Sequence, residues 1–282
     1  MSLNKPIYKL KNWIKNKIKK ELDKDENYII WDNLSLNPNA LCYLKENPHK
    51  INWNLLSSNE NAIELLEDNY DRINWNNLCV NPNALYLLEE NEDKIHWIFL
   101  SLNPNAISLL RKNPKKINWI YLSRNPNAIS LLEDNPEKIN WIYLSKNPNA
   151  ISLLEKNPDK INWCNLSKNA NAIEILKKNP DKIDWISLSM NPNAIEILEK
   201  NQDKIDWNLL SLNPNGIDLL KKNKDKINWS ILLRNPSIFE LDYEKMKINN
   251  QELYEELIKE VMKPSKVFKN PDYDYIEELF GD

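Results

Sequence analysis

Tryptophan recurs at a fixed spacing of 22 residues through most of this chain. Ten of the 11 tryptophans keep that spacing without an insertion or a deletion. They are Trp31, Trp53, Trp75, Trp97, Trp119, Trp141, Trp163, Trp185, Trp207 and Trp229. A fixed period of this length is typical of repeat proteins, in which each unit packs mainly on its neighbours. The chain is therefore predicted to fold as a stack of ten similar units.

Every unit carries the same pattern, which we number from its tryptophan as position 0. Residues 141–162 read WIYLSKNPNAISLLEKNPDKIN, with Asn and Pro at +6 and +7. Asn before Pro indicates a helix start, because Asn caps free N–H groups and Pro tolerates the first helical position. The equivalent residues of the preceding unit predict a helix from Pro126 to about Asp134. Its predicted buried residues are Ala128, Ile129, Leu131 and Leu132.

A second, shorter helix has two candidate starting points in each unit. It begins either at the Asn-Pro of +16 and +17 or after the Asn or Asp at +21. Pro occupies +17 in five of nine units, against eight of ten at +7. The later start is therefore favoured, with Asn140 or Asp184 as the cap. Ile139 would then pack against Leu144 as a hydrophobic staple.

Neither helix is expected to be stable alone, since isolated helices shorter than roughly 12–15 residues are marginal in water. Stacking is expected to bury Trp, Leu and Ile in continuous ladders. A leucine-rich-repeat β-solenoid is the rival interpretation, but it requires a buried Leu at +5, where this chain has Arg124, Lys146 and Lys168. The sequence therefore predicts an all-α solenoid of ten 22-residue repeats with two short helices per repeat.

The repeat resembles two known groups of tandem repeats. Its short helices around an Asn-Pro-Asn turn are similar to leucine-rich variant repeats, which implies a right-handed superhelix that mixes α and 3₁₀ turns. Residues 138–163, KINWIYLSKNPNAISLLEKNPDKINW, resemble more closely the repeats of giant DNA viruses that infect amoebae, and this resemblance covers residues 31 to about 236. That family has no assigned catalytic activity. The departures from its pattern are Glu60 and Ala170 for Pro, Gly216 for Ala and His96 for the capping residue.

The amino-terminal segment, residues 1–30, precedes the repeats and is basic. Residues 1–24 hold eight lysines against two acids, a local net charge of +6. Ile7, Leu10, Ile14 and Ile18 stand at helical spacing among these lysines. The lysines of the predicted basic helix are Lys9, Lys11, Lys15, Lys17, Lys19 and Lys20. We interpret the segment as a helical cap on the first repeat; the alternative is a surface for an anionic membrane, nucleic acid or an acidic partner.

The carboxy-terminal segment, residues 237–282, follows the repeats and is acidic. It holds twelve acids against six bases, a net charge of −6. A helix is predicted over Gln251–Met262, before Pro264. We interpret the segment as an acidic helical cap that closes the 31–236 repeat domain. Because the two segments carry opposite charge, head-to-tail association is the alternative.

The sequence shows no constellation of residues that predicts catalysis. Ser recurs near +4 in most units without a His to activate it, whereas a catalytic site occurs once. The 3 cysteines and 2 histidines share no metal-ligand spacing, and the chain has only 2 glycines, too few for a Gly-rich phosphate loop. We therefore predict no enzymatic activity, no cofactor and no metal site.

Asparagine and lysine form ladders through the repeats. The asparagines at +6, +8 and +16 are interpreted as helix caps and cross-links between turns rather than as contacts to a polar ligand. The bases at +19 are interpreted as a solvated edge that the acids at +18 neutralise, with phosphate binding as the alternative. These bases are Lys50, Arg72, Lys94, Lys116, Lys138, Lys160, Lys182, Lys204 and Lys226.

Positions +1, +2 and +5 differ between units, as binding faces of solenoids do. Large apolar residues occupy them in consecutive units, where they are predicted to be exposed. These residues are Ile98, Phe99, Leu102, Ile120, Tyr121, Ile142 and Tyr143. The pattern predicts a partner-binding patch. The alternative is that +2 is half-buried between stacked helices.

Composition narrows the class of protein. The pI of about 5.7 and net charge of −3 argue against general nucleic-acid binding. The chain has no run of eighteen apolar residues and no signal-peptide core, which predicts a soluble, intracellular protein without a membrane span.

These observations predict a non-enzymatic repeat scaffold that binds another protein of unknown identity, with a monomer favoured. The viral resemblance implies a host-cell partner and a location in the infected cytoplasm or the virion. The alternatives are a structural or assembly protein of a virion, and nucleic-acid or anionic-surface binding through the amino-terminal lysines.

Overall fold

A computed structural model describes residues 6–22 and 28–261 of the chain. The chain divides into two compact units, one of Leu10–Phe239 and one of Met1–Lys9 with Glu240–Asp282. The larger unit contains all the repeats. One two-stranded sheet is present among the described residues, in which Tyr8–Leu10 pairs with Phe239–Leu241.

Each repeat contains an α-helix around its tryptophan, which we call the W-helix. The W-helices are Tyr28–Leu36, Trp53–Leu56, Trp75–Leu78, Trp97–Leu100, Trp119–Leu122, Trp141–Leu144, Trp163–Ser167, Trp185–Leu188, Trp207–Leu210 and Trp229–Leu232. From the third repeat on, a 3₁₀ turn follows each W-helix. These turns are Pro82–Ala84, Pro104–Ala106, Pro126–Ala128, Pro148–Ala150, Ala170–Ala172, Pro192–Ala194, Pro214–Gly216 and Pro236–Ile238.

A second α-helix, the L-helix, carries the leucine pair. The L-helices are Leu41–Glu46, Ile63–Glu67, Leu85–Glu89, Ile107–Lys112, Ile129–Glu133, Ile151–Glu155, Ile173–Lys178, Ile195–Glu199 and Ile217–Lys222. Another 3₁₀ turn then leads to the next W-helix. These turns are Pro48–Lys50, Tyr70–Arg72, Glu92–Lys94, Pro114–Lys116, Pro136–Lys138, Pro158–Lys160, Pro180–Lys182, Gln202–Lys204 and Lys224–Lys226. The all-α solenoid predicted from the sequence is confirmed, as is its mixture of α and 3₁₀ turns.

The later start of the second helix is confirmed. Trp141 begins its W-helix, and the Asn140 Oδ1 accepts from the Tyr143 backbone N–H at 3.1 Å. The Asn-Pro of the earlier candidate start forms a separate 3₁₀ turn, Pro136–Lys138. The helix predicted from Pro126 to about Asp134 is divided into a 3₁₀ turn and the L-helix Ile129–Glu133.

The asparagine at +6 joins each repeat to the one before it. The Asn125 side chain is fully buried, and its Nδ2 donates to the Ser101 carbonyl at 3.1 Å and to the Asn103 carbonyl at 2.8 Å. Its Oδ1 accepts from the Asn127 N–H at 3.0 Å. The Asn127 Nδ2 in turn donates to the Pro104 carbonyl at 2.9 Å. The predicted role of these asparagines as caps and cross-links is confirmed.

Leucine and alanine, rather than tryptophan, form the centre of the core. Leu144 at +3, Ala150 at +9 and Leu154 at +13 are each 0% exposed. Trp141 and most of its equivalents are half-buried, so the expectation of buried indoles is wrong except at Trp31, which is 8% exposed. The other indoles therefore lie at the edge of the core.

The bases at +19 cover the indoles at this edge. Nine units have this base. In each of them its cationic group lies 4.2–5.4 Å from the centroid of the tryptophan ring of the same unit. A cation over an aromatic face contributes about 0.5–1 kcal/mol at exposed sites. The interpretation of these bases as a merely solvated edge is therefore corrected, because each contacts an aromatic ring.

The ten repeats close into a ring, because the first repeat packs on the tenth as it would on a preceding repeat. The Asn37 Nδ2 donates to the Leu233 carbonyl at 2.7 Å and to the Asn235 carbonyl at 3.0 Å, which are the +4 and +6 acceptors of the tenth unit. The Asn39 Nδ2 donates to the Pro236 carbonyl at 3.1 Å, as Asn127 does to Pro104. The sequence predicts a superhelix with two separate capped ends. The closed interface corrects that expectation within the larger unit.

The amino-terminal helix, Asn12–Leu22, packs on the tenth repeat rather than shielding a free face of the first. The tenth unit has no L-helix, because its chain continues after Ile238 as a strand. The Lys11 N–H donates to the Ile238 carbonyl at 2.9 Å, and the Trp13 ring lies 6.4 Å from that of Trp229. Lys17 lies over the Trp229 indole at 5.9 Å, where other units use the base at +19. Ile14 and Ile18, 0% and 1% exposed, anchor this helix.

The smaller unit contains the carboxy-terminal helix, Tyr243–Val261. This helix begins well before Gln251, the predicted start. Within the unit, the Asp242 N–H donates to the Ile7 carbonyl at 2.7 Å, and the Lys9 ammonium lies 3.4 Å from an Asp242 carboxylate oxygen. Residues 262–282 of the predicted acidic cap, and residues 1–5 and 23–27 of the predicted basic cap, lie outside the described residues.

Candidate functional site

The variable positions +1, +2 and +5 lie on one face of each W-helix and the turn that follows it. Helical residues three and four apart are neighbours, so +5 lies one turn beyond +2 and +1. In one repeat these residues are Ile120, Tyr121 and Arg124, and the Arg124 N–H donates to the Tyr121 carbonyl at 3.1 Å. We define the variable face as these three positions in five consecutive repeats. Those repeats begin at Trp97, Trp119, Trp141, Trp163 and Trp185.

Position +1 supplies a row of exposed apolar residues, which we call the apolar arc. Its members are Ile98, Ile120, Ile142, Cys164 and Ile186. The isoleucines are 43%, 47%, 54% and 59% exposed in that order, and Cys164 is exposed. The other five repeats have polar residues at +1, namely Asn208, Ser230, Asp32, Asn54 and Asn76. Because the ring is closed, these two sets form one continuous apolar half and one continuous polar half.

Position +2 supplies an aromatic column that is half-buried. Ring centroids lie 6.5 Å apart between Phe99 and Tyr121 and 6.0 Å apart between Tyr121 and Tyr143. The two tyrosine rings are nearly perpendicular, at 85°, and His96 packs on Phe99 at 4.6 Å. The prediction that these aromatic residues are exposed is wrong, and the half-buried alternative is confirmed. Tight stacking between repeats is the reason.

Position +5 supplies three adjacent cations that sequence analysis did not assign to the patch. Leu102 is half-buried, Arg124 is exposed, and Lys146 and Lys168 are half-buried. Burial, together with the charges of Arg124 and Lys168, lowers the pKa of Lys146 to about 8. In the sequence, these three residues argue only against a β-solenoid. Residues 22 apart stack on one another, so the three cations lie close together. The sequence signal that could have predicted this cluster is a base at +5 in three consecutive units.

The lowered pKa predicts that Lys146 destabilises the free protein at neutral pH. A folded-state pKa of about 8, below the 10.5 of an unperturbed lysine, means that folding opposes protonation. The loss of folding free energy is complete below pH 8, where Lys146 is charged in the folded protein. It disappears as the pH rises towards 10.5, where the unfolded chain also loses the proton. After a discount for solvent screening of a half-buried group, Lys146→Met should raise the free energy of unfolding at pH 7 by about 1 kcal/mol.

Urea denaturation at pH 7 and at pH 10 checks this expectation. The gain from Lys146→Met should shrink at the higher pH. Lys156→Met is the matched control, because Lys156 is exposed and should change stability by less than about 0.5 kcal/mol at either pH. An equal gain at both pH values would show that packing, not charge, explains the effect.

The amino-terminal lysines do not join the variable face. Lys15, Lys19 and Lys20 are exposed on their helix, whereas Lys17 lies over Trp229. Lys9 and Lys11 precede the helix, because Tyr8–Leu10 forms a strand where a continuous helix was expected. The apolar side of the helix packs within the larger unit and is not free to enter a membrane. Among the described residues, no helix is long and apolar enough to cross a membrane.

The recurrent serines have structural partners. The Ser145 Oγ donates to the Trp141 carbonyl at 2.8 Å and accepts from the Asn162 N–H at 2.9 Å, which joins two repeats. At one junction Cys79 and His96 replace this pair, and the His96 N–H donates to the Cys79 Sγ at 3.3 Å. Within the described ranges, no three or more His, Cys, Asp or Glu residues are grouped so that they could hold a metal ion.

Comparison of the chain with protein-family models, with curated proteins and with solved structures finds no match.

Proposed function

We propose that this protein is a non-enzymatic scaffold that binds another protein through the variable face. The observation that carries the proposal is the apolar arc. Four isoleucines, each at least 43% exposed, occupy the same position in a run of five repeats, whereas the rest of the ring is polar there. Contiguous exposed apolar surface is costly in water and typically marks an interaction site.

The closed ring supports this function by holding the arc rigid. Each unit is joined to both neighbours by buried Asn side chains, so equivalent side chains keep a fixed spacing. A preorganised surface loses less conformational freedom on binding. A partner from the host cell is the part of the proposal that rests on the resemblance to viral repeats.

The decisive variant combines Ile98→Asn, Ile120→Asn and Ile142→Asn. The fold already accepts Asn at this position, as Asn54, Asn76 and Asn208. We therefore expect unchanged circular dichroism and melting, with at least a tenfold loss of the captured partner in quantitative affinity capture from native host cells. Truncation of the half-buried aromatic column would be less informative, because it would also remove packing.

The matched control combines Ser108→Asn, Ser130→Asn and Ser152→Asn, three exposed positions on the L-helices of the same repeats. It should retain the partner. Retention of the same proteins by the isoleucine variant would contradict the proposal. If the parent protein instead forms oligomers that the isoleucine variant dissociates, the arc serves self-assembly, which is the structural alternative.

A further inference from the structure

The three cations at +5 of the variable face have no acidic partner among the residues that the structure describes. Among the described residues, neither Arg124 nor Lys146 nor Lys168 lies within 4.0 Å of a carboxylate oxygen. The bases at +19 differ, because each covers an indole. Two of the three cations at +5 are half-buried, so their charge is only partly hydrated. An uncompensated, partly desolvated row of positive charge favours an anionic ligand.

Apolar side chains flank this row on both sides. Through the five repeats of the variable face, position +5 holds Leu102, Arg124, Lys146, Lys168 and Met190 in order. Leu102 and Met190 are both half-buried and accessible. The row therefore has three cations between two apolar contacts, with the apolar arc beside it.

At position +2, the side chains of neighbouring repeats lie about as far apart as alternate side chains of an extended peptide. Neighbouring repeats bring their aromatic rings to 6.0–6.5 Å at +2, and the Asn at +6 bonds directly to the backbone of the preceding turn. An extended chain rises about 3.3–3.4 Å per residue, so side chains on one of its faces recur about every 6.6–6.8 Å. One residue in two of such a chain would therefore meet one repeat of the ring.

We propose that the partner segment bound by the variable face is an extended acidic peptide with an acid at every second residue and an apolar residue at each end. Written along the chain, the segment is apolar-x-acid-x-acid-x-acid-x-apolar. The three acids pair with Arg124, Lys146 and Lys168, and the end residues contact Leu102 and Met190. This inference rests on the proposed function and specifies the chemistry of its partner.

A single-stranded nucleic acid fits the surface less well. Nucleic acids use exposed aromatic faces on which bases stack. Here the tyrosine rings pack against each other edge to face and are half-buried, and the exposed +1 residues beside the cations are Ile120, Ile142 and Cys164. Aliphatic surface beside a row of cations is complementary to a peptide that carries both apolar and acidic side chains.

Binding of designed peptides to the full-length protein tests the inference. The probe is fluorescein-labelled Leu-Thr-Glu-Thr-Glu-Thr-Glu-Thr-Leu, measured by fluorescence anisotropy at low and moderate salt. One comparison peptide replaces each Glu by Gln, and the other places the three Glu residues consecutively. We expect the alternating peptide to bind at least tenfold more tightly than either. Oligothymidylate is measured in parallel.

The variant Arg124→Gln, Lys146→Gln, Lys168→Gln should lose at least tenfold in affinity for the alternating peptide. The matched control, Lys112→Gln, Lys156→Gln, Lys178→Gln, removes the same net charge from exposed positions at the carboxyl ends of three L-helices and should bind within about twofold of the parent. Equal affinity for the alternating and consecutive peptides, unchanged binding by the first variant, or tighter binding of oligothymidylate would each overturn the inference.

The two proposals fail separately. If partner capture depends on the isoleucines but the peptide does not bind, the interaction face stands and its acidic ligand is wrong. If the peptide binds through the cations but partner capture does not depend on the isoleucines, the site for an acidic peptide is supported and the apolar arc is not the docking surface.

Discussion

Replacement of Asn37 by alanine is expected to lower the free energy of unfolding by about 3–5 kcal/mol. The buried side chain donates to the Leu233 and Asn235 carbonyls of the tenth repeat and accepts from the Asn39 N–H at 3.0 Å. Alanine leaves the Leu233 carbonyl and the Asn39 N–H without this partner, at a cost of about 1–3 kcal/mol each. It also removes one of the two donors to the Asn235 carbonyl, which keeps its bond from the Ile238 N–H at 3.3 Å. Urea denaturation measures the loss.

Asn125→Ala is the matched control, because Asn125 makes the same three bonds, two of them to the repeat that precedes it in sequence and one within its own repeat. If the ring is closed, the two substitutions should cost the same within about 1 kcal/mol. In an open solenoid Asn37 would face solvent at an end and would have no preceding repeat. A loss below about 1.5 kcal/mol for Asn37→Ala, beside a full loss for Asn125→Ala, would therefore refute closure.

The second large effect is expected from the amino-terminal helix. Ile14→Ala and Ile18→Ala should each lower the free energy of unfolding by about 2–5 kcal/mol, since both side chains are at most 1% exposed. The physical reason is that this helix covers the tenth repeat, which lacks an L-helix of its own. Truncation leaves cavities under the buried side of this helix and weakens its packing. Thermal and urea denaturation give the measurement.

Lys15→Ala and Lys19→Ala are the controls on the same helix. Both lysines are exposed, and alanine is a good helix former, so stability should change by less than about 0.5 kcal/mol. Similar small effects from the isoleucine substitutions would mean that the helix is not docked. Hydrogen exchange adds a readout, because the Lys11 N–H bond to the Ile238 carbonyl should lose protection in the isoleucine variants.

Local features of the repeat were predictable because they depend on bonds within a few residues. Asn140 caps the helix that begins at Trp141, and Asn125 caps the helical stretch that begins at Pro126, as the pattern indicated. The pattern did not indicate that this stretch is divided into a 3₁₀ turn and the L-helix. The apolar spacing identified Leu131 and Leu132 as core. In contrast, the boundary between the 3₁₀ turn and the L-helix has no marker in the sequence.

The candidate site was only partly predictable. Exposure of Ile98, Ile120 and Ile142 followed from their position opposite the core leucines. The half-burial of Tyr121 depends on the ring that stacks on it from the next repeat, and such contacts between residues 22 apart depend on the distance between repeats. The same distance brings Arg124, Lys146 and Lys168 together. In the sequence, the bases at +19 stand beside acids at +18. In the folded protein each of these bases also contacts the indole 19 residues before it.

The amino-acid sequence alone determined the unit, its length, its two helices, its caps and the number of copies, because those depend on periodicity and on short-range hydrogen bonds. Only the tertiary structure decided that the copies close into a ring. Closure requires each repeat to turn by a tenth of a circle relative to the last, and that small rotation is the sum of many packing contacts, none of which has a signature in the sequence. Closure in turn placed the amino-terminal helix on the tenth repeat and joined the polar +1 residues of the last two and first three repeats into one continuous half of the ring.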